Sequence, residues 1–382
     1  MPKVGVILVN YKTYANRFLE ECRDTLRTQD FPSTDFTVYI VDNAASPETD
    51  AYLRATYPEA VIIPRADGNY SAANNAGIAR ARSDGATHLV IANMDTHFTT
   101  SWLRELVHAL DSNPALGIVQ SKVLLYPQTP AEWSAPKINT LGNIMHYLGF
   151  GFTSHYQELD RPVRSLAPMP TSSTISPSST ISPSTSSTTP HLIPIDGYAS
   201  GCSLIIRDST LDRIGGYDEE YYMYHDDVEL SWRAKLAGYK LALAPKSVLY
   251  HKYEFGRSIM MLYYMERNRY LVMLTYYKPQ TLLLLSPAII GMELGMWYAA
   301  ITGGWVNTKW RVTKYFLTPL VWKQILAKRG EVTKLRTVSE HAVLKTFVGE
   351  VLFQEIMSPL LKYLVNPCFN FYWRLVLPLI RW

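Results

Sequence analysis

The sequence predicts an α/β fold, a mainly parallel sheet with flanking helices on both faces, followed by a helical, apolar and basic region. Two observations predict it. Over roughly the first 120 residues, short β-branched runs alternate with helix-patterned segments, the order that builds a parallel sheet. From Thr281 onward the strand pattern is gone, and Leu, Val, Phe and Trp mix with Lys and Arg.

The first run, Val4–Asn10, is almost wholly apolar and reads as a buried strand. Phe36–Asp42, Ala60–Pro64 and His88–Asn93 repeat that pattern, and Ala15–Thr28, Pro47–Tyr57, Ser71–Ser83 and Ser101–Asp111 between them carry helical spacing. Ligands of such sheets bind beyond the C-terminal ends of the strands. The polar clusters Asn10-Tyr11, Asp42-Asn43 and Asn93–Thr96 all fall there, so they are expected to share one rim. Of the 26 residues Ser165–Pro190, 21 are Ser, Thr or Pro and none is charged. Such a tract cannot bury enough apolar surface to offset chain entropy, and it reads as a disordered surface insertion. Strand-like runs return at Cys202–Ile206 and Val248–Tyr250.

Thr281–Val306 is apolar apart from Glu293, and about 20 such residues suffice to cross a bilayer. Lys278 precedes it, Lys309, Arg311 and Lys314 follow, and Trp297, Trp305 and Trp310 suit an interface. Glu293, Pro287 and the Gly303-Gly304 pair stand against spanning, and the C-terminal mix of apolar and basic residues suits helices lying in a membrane surface. The expected organisation is an α/β domain over 1–275, interrupted by 165–190, and a helical, membrane-associated region over 276–382.

A net charge of +4 is too weak to argue for nucleic acid. Three scattered cysteines, Cys22, Cys202 and Cys368, give neither a disulfide framework nor zinc spacing, and a reducing compartment is the simplest reading. The N-terminus shows no secretory signal pattern, so the α/β part is expected on the cytoplasmic side.

The chemistry concentrates in His225-Asp226-Asp227-Val228-Glu229-Leu230-Ser231-Trp232-Arg233. Capping a helix needs one or two carboxylates; three within four positions, behind His225, Tyr221, Tyr222 and Tyr224, point to a poised base. A second acidic motif, Asn93-Met94-Asp95-Thr96, follows the fourth strand. One carboxylate site for a metal and one for a proton are what sugar transfer from a nucleotide donor requires.

In that order the motifs resemble the family 2 glycosyltransferases of the GT-A fold, close to their rhamnosyltransferase-like bacterial branch, over about residues 3–275. The resemblance rests on Val9-Asn10-Tyr11, Val41-Asp42-Asn43, Asp67-Gly68-Asn69-Tyr70-Ser71-Ala72-Ala73-Asn74-Asn75-Ala76-Gly77, the Asp95 motif, the Asp226-Asp227 motif and Arg267-Asn268-Arg269. It implies that Asn10, Tyr11 and Asp42 hold the donor's base, and that Asn69, Asn74 and Asn75 lie at a helix start facing its diphosphate, with Gly68 and Asn69 in exchanged order. It further implies that Asn93 and Asp95 occupy the metal motif, and that Asp95 and His251 hold a divalent metal, Mg²⁺ or Mn²⁺. Asp227 becomes the general base and Asp226 its support, with Asp for the family's Glu at 226 and Glu for its Asp at 229. Gly201, Cys202 and Trp232 fall on the acceptor side. Arg267 or Arg269 is expected to meet the donor diphosphate or the phosphate of a lipid-linked acceptor. The implied partners are a nucleotide-sugar donor, a glycan or lipid-linked saccharide acceptor and the cytoplasmic face of the cell membrane, with no nucleic acid.

A nucleotidyltransferase would use a similar sheet, but Val9-Asn10-Tyr11-Lys12 stands where its Gly-rich basic loop belongs. A non-catalytic glycan- or nucleotide-binding relative would keep the same fold without turnover. A membrane scaffold using mainly the C-terminal third would leave the carboxylates at the strand ends without a purpose.

Overall fold

The structure, a computed structural model, describes residues 2–161, 191–254, 262–352 and 359–382; the Ser/Thr/Pro tract at 165–190 lies outside them. The first four strands form as expected. β1 (Val4–Asn10), β2 (Phe36–Asp42), β3 (Val61–Pro64) and β4 (His88–Ala92) stand in the order β4-β1-β2-β3, all parallel. Helices α1 (Ala15–Arg27), α2 (Pro47–Thr56), α3 (Tyr70–Ser83) and α4 (Trp102–Asp111) occupy the expected segments. Strand side chains alternate between two cores. Val6, Leu8, Val38, Ile40 and Val90 pack with Phe18, Leu19, Leu103 and Leu106, whereas Ile7, Tyr39, Val41, Leu89 and Ile91 pack with Ala73, Ile78 and Ala81. Gly77 lets α3 lie close on β1, since a Cβ there would meet Ile7 Cγ2 at 2.5 Å.

β6 (Leu116–Leu125), β11 (Ser203–Arg207) and β12 (Lys240–His251) extend the sheet as β12-β6-β11-β4. β12 runs parallel to β6, but β11 runs antiparallel to both neighbours, so the sheet is mixed. The cause is the connection. After β6 the chain makes β7 (Ile138–Thr140), the hairpin β8 (Asn143–Met145) and β9 (Gly151–Thr153), and the edge strand β10 (Ile193–Pro194). The chain then re-enters the sheet as β11, running the other way. β1, β2, β4, β6 and β12 therefore all end at one rim. β5 (Thr96–Phe98) folds back on β12 and sets Thr96 opposite His251. α5 (Pro130–Ser134), α6 (Asp208–Ile214) and α7 (Asp226–Leu236) complete this part.

The C-terminal helices are α8 (Leu262–Tyr276), α9 (Pro279–Thr302), α10 (Val306–Phe316), α11 (Pro319–Leu335), α12 (Glu340–Leu344) and α13 (Asn366–Val376). They share a third core with α7, in which Trp232 and Leu236 meet Tyr276, Tyr277, Leu285, Phe347 and Trp373. Within it Lys309 stands 2.7 Å from both Glu266 and Glu293, and Arg269 2.9 Å from Glu266. Glu293, the charge that interrupts the apolar run, is thus half-buried and paired with Lys309.

Candidate active site

Asp226 and Asp227 open α7, where the first N–H groups favour negative charge. The loop before them is strained. Tyr222, Tyr224 and His225 all lie near φ +60°, a conformation that non-glycine residues rarely adopt. Several buried groups hold it there. Asn268 Nδ2 donates to the carbonyls of Tyr221 at 2.8 Å, Met223 at 2.9 Å and Tyr224 at 2.7 Å. Arg267 donates to the carbonyls of Glu220 and Tyr221 and, through Nε, to Asn268 Oδ1 at 2.9 Å. The N–H groups of Tyr70 and Ser71 both donate to the Tyr222 carbonyl, and His225 Nε2 meets the Gly149 carbonyl at 3.1 Å.

The two carboxylates differ in access. Asp226 is buried; Asp227 is half-buried and open to solvent. Asp227 Oδ2 accepts from the Gly201 N–H at 3.1 Å and Oδ1 from the Val228 N–H at 2.8 Å. Burial pushes both carboxyl groups above the usual range; the adjacent Asp227 charge raises Asp226 further, while the backbone donors partly offset the rise at Asp227. Such a pair titrates as one unit, and the less raised, more accessible member is the one placed to take a proton. Glu229 lies in the core, bound by Arg233 at 2.7 Å and by the Tyr276 hydroxyl.

The second acidic position sits on the same rim. Asp95 Oδ1 stands 3.3 Å from His251 Nε2, and His251 Nδ1 is 3.0 Å from Asn139 Oδ1. Burial opposes charge on His251, but Cys202 and Asp95 outweigh it and hold the ring's pKa well above the usual imidazole range. Asp95 is only 1% exposed; His251 lines a cavity of about 600 Å³ together with Phe18, Tyr126, Tyr156, Lys252 and Tyr253. The gap is that of a direct ion pair; two donors of one divalent ion also lie about 3 Å apart at bonds of about 2.1 Å, so Asp95 and His251 could share one once the ring's Nε2 proton is lost. Asn139 would fix the ring's tautomer for that role. Among the described residues no group of three or more His, Cys, Asp or Glu could hold a metal, so further ligands would have to come from a substrate. One dipeptide joins the two acidic positions: Gly201 bonds Asp227, and the Cys202 carbonyl accepts from the Asn93 N–H at 2.9 Å. The Tyr70 hydroxyl, 3.3 Å from Asn93 Oδ1, lies in the field of Asp226 and Asp227.

Asp42 at the end of β2 accepts from Asn10 Nδ2 at 2.8 Å and from the Thr49 hydroxyl, while Asn10 Oδ1 accepts from the Ala15 N–H. Tyr11, 45% exposed, and Tyr222 approach each other over Gly68, whose φ of +71° suits glycine. Several expected contacts are replaced. The start of α3 does not face a ligand with free N–H groups: Tyr70 and Ser71 donate to Tyr222, and Ala72 to Asn69 Oδ1. Asn69 Nδ2 also donates to the Glu219 carbonyl, Asn75 bonds both Tyr217 and Glu219, and Asn74 Nδ2 returns to the Tyr70 carbonyl. Together Asn69 and Asn75 clamp the segment 217–222. Arg269 is a core cation, 1% exposed and bound to Glu266 and the Leu148 carbonyl; Arg267 is turned onto the loop. Trp232 packs against Tyr276, Tyr277 and Phe347 and does not reach an acceptor face.

Sequence reasoning missed Asn139 and Asn268. Asn139 lies on a three-residue strand without a periodic signal, and Asn268 reads in the sequence only as part of the Arg267-Asn268-Arg269 motif, with no role of its own.

Residues 5–164 match the family profile described as Glycosyl transferase family 2. The N-acetylglucosaminyl-diphospho-decaprenol L-rhamnosyltransferase of Mycobacterium tuberculosis (strain CDC 1551 / Oshkosh) is 42% identical over 57 residues. That segment is 15% of this chain and spans 19% of the length of that protein. The crystal structure of GalNAc-T7 with UDP, GalNAc and Mn²⁺ is similar at a TM-score of 0.50 and 12% identity, over 73% of this chain and 49% of that one. The mannosyltransferase PcManGT from Pyrobaculum calidifontis in complex with GDP-Man and Mn²⁺ gives a TM-score of 0.47 and 16% identity, over 87% and 86%. The fold is that of the GT-A transferases.

Proposed function

We propose, from the premise that this chain carries a glycosyl transferase family 2 domain on a GT-A sheet, that it is an inverting glycosyltransferase. It moves a sugar from a nucleotide-sugar donor to a hydroxyl of a lipid-linked cell-surface glycan, in the rhamnosyltransferase-like manner, at the cytoplasmic face of the membrane. The observation that carries this reading is the accessible Asp227, joined through Gly201-Cys202 to the turn after β4 that bears Asp95, with His251 at the end of β12 beside it.

Asp227 takes the proton of the acceptor hydroxyl as that oxygen attacks the anomeric carbon. Asp226 supports it by keeping a second carboxyl beside it, so that the pair holds protons more tightly than a free Asp. Tyr11 and Asp42 receive the base and ribose, with Asn10 fixing the Asp42 carboxylate. Asp95 and His251 would hold a divalent cation, with the donor's phosphates completing its ligands, and when bound it would neutralise charge on the leaving diphosphate. The lipid-linked acceptor is supported by the name of the Mycobacterium tuberculosis relative, a diphospho-decaprenol rhamnosyltransferase, and by the apolar C-terminal helices.

The test is a panel of nucleotide sugars with Mn²⁺ or Mg²⁺, read as a rise in melting temperature, followed by turnover of the one that binds. Asp227→Asn should cut transfer by about 10²–10⁴-fold while the donor-induced melting shift persists. Unchanged turnover in that variant removes Asp227 as the base.

A further inference from the structure

Among the described residues, 17 of the 20 large apolar side chains that stand exposed lie in 279–382. Scattered exposed apolar residues are ordinary, but this concentration marks a contact surface. On α9 the exposed positions Leu283, Pro287, Ile290, Leu294, Tyr298 and Ile301 recur every three or four residues and form one stripe without a charge. The opposite face, Thr281, Leu285, Ala288 and Met292, is buried against the protein. Ala300 near the far end is buried as well, so the helix is held along its length. On the neighbouring α13 side, Phe371, Leu375 and Leu379 repeat the exposed spacing. Exposed cations adjoin the apolar surface, with Arg311 and Lys314 on α10 and Lys323 and Lys334 on α11. Residues 278–336 hold nine Lys and Arg against two Glu; Lys309, Lys328 and Arg336 are paired with Glu266, Asp218 and Glu340, and the exposed Arg311, Lys314, Lys323 and Lys334 carry the surface excess.

We infer that α9 and α13 form an in-plane docking surface for an anionic lipid bilayer, with the α10 and α11 cations at the headgroups, and that α9 does not cross the membrane. Crossing would draw its docked face, and with it the charged neighbour α10, into hydrocarbon, where Arg311 and Lys314, which meet aromatic rings but no carboxylate among the described residues, would be costly. Lying flat, the stripe enters about 5–10 Å, at the depth where Trp310, Trp322 and Tyr298 are favoured. Anionic lipid is favoured over a second copy of the chain by the cation excess, because two copies would set like charges against each other. The inference rests on the proposed function only for its biological sense, a lipid-borne acceptor; the surface itself stands on the geometry. Because α8 both precedes α9 and carries Asn268, docking also sets the height of the Asp226-Asp227 loop above the bilayer.

The test is flotation of the full chain with vesicles of phosphatidylcholine and phosphatidylglycerol at about three to one, against phosphatidylcholine alone. The chain should float with the anionic vesicles, and external protease should leave no protected fragment covering 279–302. The double variant Ile290→Asp, Leu294→Asp should lose at least about tenfold in vesicle affinity, and Arg311→Glu with Lys314→Glu should erase the preference for anionic lipid. All four side chains are exposed, so folding is retained, checked by an unchanged melting temperature. Failure to float, equal flotation of the stripe variant, a protected 279–302 fragment, or a dimer that the stripe variant splits without altering flotation would each overturn the inference. Melting shifts with nucleoside diphosphates and Mn²⁺ separate the two ideas: their absence in a chain that still floats counts against the catalytic reading alone.

Discussion

Replacing Asn268 by Ala removes one buried amide that fastens the loop in front of Asp226. Three residues of that loop sit at positive φ, each at a cost of about 1–2 kcal/mol. The amide's two N–H groups are shared among the Tyr221, Met223 and Tyr224 carbonyls, and Arg267 also donates to Tyr221. Each carbonyl that is left without a donor and stays buried costs about 1–3 kcal/mol. The two sums are of similar size, so the loop should relax locally while the fold persists. A displacement of a catalytic group by about 1 Å costs about 10²-fold in rate. Asn268→Ala is therefore expected to lower kcat/KM by at least that factor, with the donor-induced melting shift intact and the parent melting temperature nearly kept. Asn268→Asp, which sets a carboxylate against the same carbonyls, should fall at least as far. The loosened loop should also wet Asp227, moving the acid limb of the pH–rate profile down toward the ordinary carboxylate range. Transfer kinetics across pH decide it. A kcat/KM equal to the parent's, or a loss matched by a collapse in melting temperature, would refute the positioning role.

Three further outcomes follow from the same geometry. Burial, and then the Asp227 charge, raises the carboxyl of Asp226, with Glu229 on its own helix and the phenols of Tyr70, Tyr198 and Tyr217 around it. A carboxyl raised on folding stabilises the protein in acid, and that contribution is lost as pH rises through the raised value; Asp226→Asn should thus melt higher than the parent at about pH 8, with the gap closing below about pH 4. Asn139→Ala should weaken Mn²⁺ binding by about 10–100-fold without touching either ligand, measured by titration of the free protein with the metal and a donor nucleotide. Lys309→Met leaves Glu266 sharing its buried site with Arg269 alone, and chemical denaturation should show a loss of about 3–5 kcal/mol.

Legibility in the sequence varied with the range of the interaction. The four parallel strands and their helices fell within a residue or two of the expected limits, because apolar periodicity and caps such as Ser46 before Pro47 act over a few positions. β6, ten residues of almost unbroken burial, was not among the expected strands although Ile118-Val119 and Val123-Leu124-Leu125 are apolar, and β11's reversed direction follows from a connection, not from its residues. The polar clusters were placed on one rim correctly, since strand ends follow from strand limits. Their contacts were not. Asn69 and Asn75 looked like a phosphate-facing helix start; they bond residues some 140 to 150 positions away. Arg269 looked available and is enclosed by Glu266 and the Leu148 carbonyl.

What the chain alone determined is therefore its alternation of strands and helices, the acidic residues at two of the sheet's polar ends, and an apolar C-terminal region whose only acidic residue between 278 and 330 is Glu293. What tertiary structure decided is which of those polar groups remain available. Whether an amide or a guanidinium meets solvent or a distant carbonyl depends on which remote segment packs over it, and that is fixed by sheet order and helix docking, which no local pattern encodes. The same holds for α9: its apolar length is written in the sequence, but that one face is covered and the other bare is a fact of packing.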